Sequence, residues 1–361
     1  MPVSHLVVAP EPSGPAVPGR RGGPRRLWGW AAGRGLGVKL AQPAASRVAG
    51  ALAVVALAVG IVSGGAVRLT GSGLGCSDWP ACTRTSIVAP LQYHAWVEFG
   101  NRLVNVLITL AVASCVAAAL WRRPRRRDLV HLSLGLVGGI LAEVVLGGET
   151  VLNKLAPPFV MGHMLLALVL LGTAVVFFHR ANEAEEPLAT RPGQARPARL
   201  VWRVGGPQRA AATAMVALTA LVVTLGTVVT GTGPHAGAPS VPRFGFSLHS
   251  VAQLHANSVE VLLALTVGTL WWLHRSGAPA PVLRRAEAVL AVLVAQAAVG
   301  YTQYFTGDPV LLVGFHLAGA TSVVVAMVAF YLGLYSREPS RTVQTGGEEH
   351  TAQPLVKALG R

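Results

Sequence analysis

Charge is scarce in this chain. Asp, Glu, Lys and Arg make up 12% of its 361 residues, about half the share in an ordinary soluble domain. So thin a polar complement excludes a water-soluble globular protein. With 52% hydrophobic residues, the composition is that of a membrane protein. Acidic residues are scarcer still, 15 against 30 Lys and Arg, for a net charge of +15. That excess does not indicate nucleic acid, because the arginines cluster between apolar runs and not on one soluble face. Cysteine is nearly absent, with three residues, so the chain is no disulfide scaffold. Cys115 lies in an apolar run and reads as a small packing residue. Cys76 and Cys82 are neighbours that can be oxidised in a non-reducing compartment. No short apolar core with a cleavage site precedes residue 48, which speaks against a removable signal peptide.

Long apolar segments are what the chain has in plenty. A spanning helix needs roughly 20 apolar residues. Eight stretches qualify: 48–67, 95–121, 129–148, 158–178, 210–230, 251–273, 288–305 and 311–335. The expected fold is therefore an all-α membrane protein with eight transmembrane helices. Residues 1–47, rich in Pro, Gly and Arg, read as a disordered basic tail, and 336–361 as a second disordered tail. Lys and Arg set the orientation. Seven lie in 1–47, five in 122–127, six in 179–209, three in 274–287 and four after 336. All these segments fall on one side. Arg68, Arg84, Lys154 and Arg243 fall on the other, with Arg102 near the mouth of the second span. Both termini are expected in the cytoplasm, and the "LGCSDWPAC" loop outside the cell membrane, where a disulfide persists.

The chain repeats itself. "RLTGSG" (68–73) resembles "VVTGTG" (228–233), "AEVVLGG" (142–148) resembles "AQAAVGY" (295–301), and "VMGHMLLA" (160–167) resembles "VGFHLAGA" (313–320). Two pseudo-symmetric four-helix bundles are expected, 48–178 and 210–335, joined by a cytoplasmic linker, 179–209. Four spans per half is an even number, so both halves enter from the same side. This differs from the inverted repeats of many transporters.

Ionisable groups rarely sit in a bilayer without a reason. His163, His255 and His316 fall early in the fourth, sixth and eighth spans, all near the outer face. The outer end of the second span reads "HAWVEFGNRL" (94–103) and places His94, Glu98 and Asn101 on one side of a helix. Asn101 stands within one residue of the place that His255 holds in the second half. Two histidines on separate helices of a four-helix bundle suit bis-imidazole haem ligation. Arg102 and Arg68, near the outer surface, suit haem propionates. The plainer alternatives are helix–helix hydrogen bonds for the histidines and an interfacial place for His94. Glu143 and Glu260 read as hydrogen-bonding partners of neighbouring helices. No H-x-x-x-H or C-x-x-C-H signature adds independent support. The C-x5-C pair fits either a staple across a tight loop or an exchangeable redox bond, which must be exposed.

Together, "GGAVRLTGSGLGCSDWPAC", "WVEFGNRL", "VMGHMLLA", "QLHANSV" and "GFHLAGAT" resemble the haem A synthase family over about residues 48–335, in an actinobacterial-like variant. The resemblance implies oxidation of the C8 methyl of haem O to a formyl group, giving haem A for cytochrome oxidase. It implies a substrate haem in the first half and a haem b cofactor in the second. His255 and His316 would be the axial ligands of haem b, and His163 a ligand of the substrate haem. Glu98 and Arg102 match the acid and arginine of the family's E-x-x-H-R motif, with Glu98 catalytic. Cys76 and Cys82 match its outer-loop pair, which forms a disulfide. Asn101 departs from the motif's histidine. The substrate haem would then be five-coordinate through His163, or bound by His94 in a shifted position, since seven residues of helix is about 10 Å.

Expected partners are the lipid bilayer, a haem O synthase that supplies so apolar a substrate, and an electron donor in the membrane or outside it. The oligomeric state stays open. A dihaem b-type electron-transfer cytochrome is the alternative; it explains the histidines but not Glu98 or the cysteine loop. A 4+4 transporter calls for a midplane polar site, whereas the polar residues here gather near one surface.

Overall fold

A computed structural model describes residues 43–123, 125–183 and 199–338. Its eight long helices are α1 (Pro43–Leu69), α2 (Tyr93–Trp121), α3 (Arg127–Leu152), α4 (Pro157–Asn182), α5 (Gly206–Thr232), α6 (Leu248–Arg275), α7 (Ala280–Phe305) and α8 (Val310–Gly333). They run from 24 to 29 residues. At 1.5 Å per residue each is about 36–44 Å long, enough for the roughly 30 Å hydrocarbon layer. Seven are also apolar enough to cross a membrane by composition. The exception is α7, where Arg284, Arg285 and Glu287 occupy the second turn and Gln296 and Gln303 lie further on.

Helix ends follow from local chemistry. After α1, α3, α6 and α7 the chain turns through a left-handed residue: Gly71 (φ 69°), Lys154 (φ 54°), Gly277 (φ 66°) and Gly307 (φ 81°). The next amide reaches back to the last turn in each case: Ser72 to Val67, Leu155 to Thr150, Ala278 to Leu273 and Asp308 to Gln303. These 6→1 bonds satisfy carbonyls that the helix leaves open. Proline in the first turn starts α4, α5 and α7, where its missing N–H carries no penalty.

Helix α1 packs on α2 and α4, and α3 packs on the same two; α5 packs on α6 and α8, as does α7. Each set has its own core. One centres on Ala53, Leu57, Cys115, Leu136, Leu171 and Phe177. The other centres on Met215, Leu262, Val289, Leu293, Met327 and Phe330. Cys115 is buried and free, as a packing residue should be. Contacts of α4 with α5 and α8, and of α1 with α8, join the sets.

The four connections α1–α2, α3–α4, α5–α6 and α7–α8 meet at one end. Leu74, Leu155, Ala236 and Val241 share a small apolar cluster. His235 Nε2–H donates to Asp308 O at 2.8 Å. At the opposite end Arg126 bridges Asp128 (2.8 Å) and Glu183 (3.0 Å), and Arg337 reaches Asp128 (3.1 Å).

The all-α expectation needs one amendment at that opposite end. Two strands, β1 (Arg199–Trp202) and β2 (Tyr335–Glu338), pair antiparallel, with Trp202 opposite Tyr335. They occupy stretches that the sequence assigns to the linker 179–209 and the tail from 336. Four-residue strands carry too short a pattern to read, and their pairing depends on helices that bring distant segments together. The basic tail, 1–47, lies outside the described residues apart from Pro43–Arg47, which open α1. The tail beyond residue 338 lies outside them as well.

Candidate functional site

His255 on α6 and His316 on α8 face each other, with ring centres 6.3 Å apart and planes crossing at 71°. Their helices do not pair closely; both flank α5 and α7 instead. The His255 Nδ1–H donates to Val222 O at 3.0 Å, which leaves Nε2 as the free ligating nitrogen. The spacing fits a haem. A bond of about 2 Å from each nitrogen to a metal, and about 1.2 Å from ring centre to nitrogen, set two opposed rings roughly 6.4 Å apart. Glycines face both rings. A Cβ at Gly226 would lie 3.3 Å from His255 Cε1, and one at Gly300 only 2.8 Å from His316 Cε1. Among the described residues no three His, Cys, Asp or Glu converge on a bare metal ion. The donors here are the two imidazoles of His255 and His316, a set that suits a six-coordinate porphyrin iron.

The other half repeats the scheme with different side chains. His163 on α4 stands against Gly147 of α3, where a Cβ would lie 3.4 Å from His163 Cε1. Asn101 on α2 stands near Gly64 of α1, with 4.0 Å to Asn101 Oδ1. Each odd helix thus offers a glycine to one polar residue on the following even helix. Asn101 thus faces a glycine of α1 as His255 faces one of α5. Asn101 Oδ1 accepts from Ser63 Oγ at 2.7 Å. His163 Nδ1 contacts Glu143 Oε2 of α3. His94 is not brought to this place. It lies at the loop end, its Nδ1 bonded to Ser72 Oγ at 2.9 Å.

Glu98 is 5% exposed and held from two sides. Its Oε2 accepts the Cys76 N–H at 2.8 Å, and its Oε1 meets Arg102 Nη2 at 2.7 Å. Arg102 also donates to the carbonyls of Asp78 (3.0 Å), Pro80 (3.2 Å) and Ala81 (3.0 Å). Both Nη atoms are thus engaged by the loop and by Glu98, while Nε carries none of these bonds. Arg68 likewise donates to Thr230 O at 2.6 Å and ties α1 to α5. Cys76 and Cys82 form a disulfide, and both are fully buried. A sealed bond reads as a staple, since exchange needs access. Trp79 of the same loop lies on Gly148, where a Cβ would come within 2.9 Å of the indole. The loop thus caps the first half beside Gly147 and His163.

Several functional contacts escape a reading of the sequence alone: Ser63, Ser72, the glycines, and Glu143 as the partner of His163. A signal for some of them exists. Glu143-x-x-x-Gly147 in α3 and Gln296-x-x-x-Gly300 in α7 share one spacing, and each glycine precedes its histidine by the same interval. One helical turn places each such pair on the face toward the histidine. Glu260 of α6 accepts from Tyr301 Oη of α7 at 2.5 Å.

The fold defines a multi-pass helical membrane protein, with two histidines facing each other from separate helices. The particular family follows from comparison. The family model described as "Cytochrome oxidase assembly protein" (COX15-CtaA) matches residues 47–328, and the chain belongs to this family. A heme A synthase of Symbiobacterium thermophilum is 30% identical over 258 residues, 69% of this chain and 81% of that protein. One from Methylobacterium nodulans is 27% identical over 335 residues, 76% of this chain and 86% of that protein. The match to a heme A synthase of Geobacillus kaustophilus is shorter: 30% identity over 116 residues, 31% of this chain and 35% of that protein's length.

Proposed function

We propose that this protein is a haem A synthase that oxidises the C8 methyl of haem O to a formyl group. Two successive hydroxylations, each removing two electrons from the carbon, give a geminal diol that loses water to the aldehyde. Helices α1–α4 and α5–α8 act as two pseudo-symmetric four-helix bundles, with both termini in the cytoplasm and the disulfide loop outside. The arginine distribution supports that orientation. His255 and His316 would hold haem b, a group that supplies single-electron transfer when bound. Haem O binds in the first half with His163 as its axial ligand. Asn101 is a poor ligand for iron, so the opposite coordination position stays open to an oxidant.

The single observation that carries this reading is the buried Glu98 in the half that has lost one imidazole. An electron carrier has no use for such a carboxylate. An oxidase does, because removing hydrogen from carbon releases protons and builds positive charge. Glu98 is pre-positioned by Cys76 N–H and Arg102, so it does not have to reorganise when that charge appears. A haem O synthase is the expected supplier of substrate, and a membrane or extracytoplasmic donor supplies electrons.

The test is to express the chain in cells that make haem O but not haem A, and to extract the haems. Haem A in those cells supports the synthase. Haem B bound to the pure protein with haem O left unaltered overturns it in favour of a dihaem b-type carrier. His255→Ala and His316→Ala should each remove the low-spin haem b absorbance from folded protein.

A further inference from the structure

The two halves differ in what stands behind the histidines of α4 and α8, and that difference has a chemical meaning. Resting on the reading that His163 ligates the substrate haem, we propose that Glu143 is a positioning residue for it. Its carboxyl group accepts the Nδ1 proton of His163, presents Nε2 to the iron, and makes that single imidazole a stronger electron donor.

Three observations carry this. First, Glu143 Oε2 contacts His163 Nδ1 directly, from the neighbouring helix. The Glu143 side chain is 14% exposed, and its second oxygen, Oε1, is buried with no hydrogen-bond partner among the described residues. Burying a carboxyl group with only one contact is unfavourable, so the contact to His163 is the one that accounts for its place. Second, the corresponding residue in the other half is Gln296. It turns away from the imidazole and donates to the His316 main-chain carbonyl at 2.7 Å. Neither His163 Nδ1 nor His316 Nδ1 has a hydrogen bond of full geometry among the described residues, but His163 Nδ1 has a carboxylate oxygen against it; His255 uses a backbone carbonyl. A carboxyl group behind a ligand is thus confined to the first half. Third, that same half carries Asn101 where the second carries His255. One ligand is missing, and the remaining one has the strongest available acceptor behind it.

The physical logic links the last two points. A ligating histidine transmits the character of its Nδ1 partner to the metal, and a carboxyl acceptor raises ligand basicity more than a carbonyl or no partner. A haem with two neutral imidazoles is suited to passing electrons. A haem with one carboxyl-backed imidazole and an open face is suited to activating an oxidant. Gly147, one turn from Glu143 on α3, lets the His163 ring lie close enough for this contact.

Resonance Raman spectroscopy of the ferrous full-length protein loaded with haem O provides the test. The iron–histidine stretch arises from the five-coordinate haem alone, so haem b does not interfere. Glu143→Gln should lower its frequency and raise the reduction potential of that haem. Glu143→Ala should lower it further and weaken haem O retention by about 10-fold to 100-fold. Gln296→Glu should leave the band unchanged. If the band is lost in His163→Ala but identical in wild type, Glu143→Gln and Glu143→Ala, the role of Glu143 is overturned while the ligand assignment stands. If His163→Ala keeps the wild-type band, both fall together.

Discussion

The two halves of this molecule share a scaffold and differ at four places. The second half holds two imidazoles 6.3 Å apart, an amide at 296 bonded to backbone, and a connection between α5 and α6 without cysteine. The first half holds one imidazole with a carboxyl partner, an asparagine bonded to Ser63, a buried Glu98 and a stapled loop. The common parts are the glycines against each even helix and the shared depth of the polar residues. Duplication thus fixes where a porphyrin fits, and a few substitutions decide what happens to it. On the proposed reading, the symmetric site would close a haem on both faces. The asymmetric one would leave a face open, with Glu98 beneath the stapled loop.

The comparison can be broken most forcefully at Glu98. Glu98→Gln should reduce haem A formation by at least about 100-fold while leaving the haem b absorbance intact. Loss of haem b in that variant would show that the halves do not divide the work. A transplant is the next test. Asn101→His copies the second half into the first, and should convert ferric haem O from high-spin to low-spin and depress turnover. Asn101→Ala should leave the spin state alone. If neither variant moves the spectrum or the rate, position 101 is not at the iron.

The shared glycines predict a smaller effect. Gly300→Ala puts a methyl 2.8 Å from His316 Cε1 and should cost about 1–3 kcal/mol of stability or haem b binding. Gly226→Ala, with 3.3 Å to spare, should cost less; thermal unfolding with haem b absorbance as the probe ranks them. The smallest effect belongs to the disulfide. Cys76→Ser with Cys82→Ser should lower stability by about 2 kcal/mol, since the loop closed is short. Turnover should survive in membranes kept cool. An inactive but folded double variant would mean that the bond takes part in the reaction and is more than a staple.

Much of this was legible in residue order. Eight apolar stretches, their arginine-marked junctions, and histidines at matched depth are one-dimensional patterns. Even the identity of Asn101 as a departure could be read from E-F-G-N-R, because a motif on one helix keeps its neighbours. Nothing local reveals that the loop backbone and Thr230 O take N–H groups of Arg102 and Arg68. Nor does spacing show that α7 needs its neighbours more than its own hydropathy, or that residues 199–202 and 335–338 pair.

The sequence by itself determined that the chain crosses a membrane repeatedly, that it carries similar segments at a repeated offset, and which side chains are candidates for iron. Bilayer length, apolar run and repeat offset are additive along the chain, so they need no third dimension. Only the tertiary structure decided which candidate faces which. Whether His163 meets Glu143, Asn101 meets Ser63, or Glu98 meets Cys76 depends on the rotation of packed helices and the path of a loop, and a change of one residue in register would turn each of those groups toward lipid.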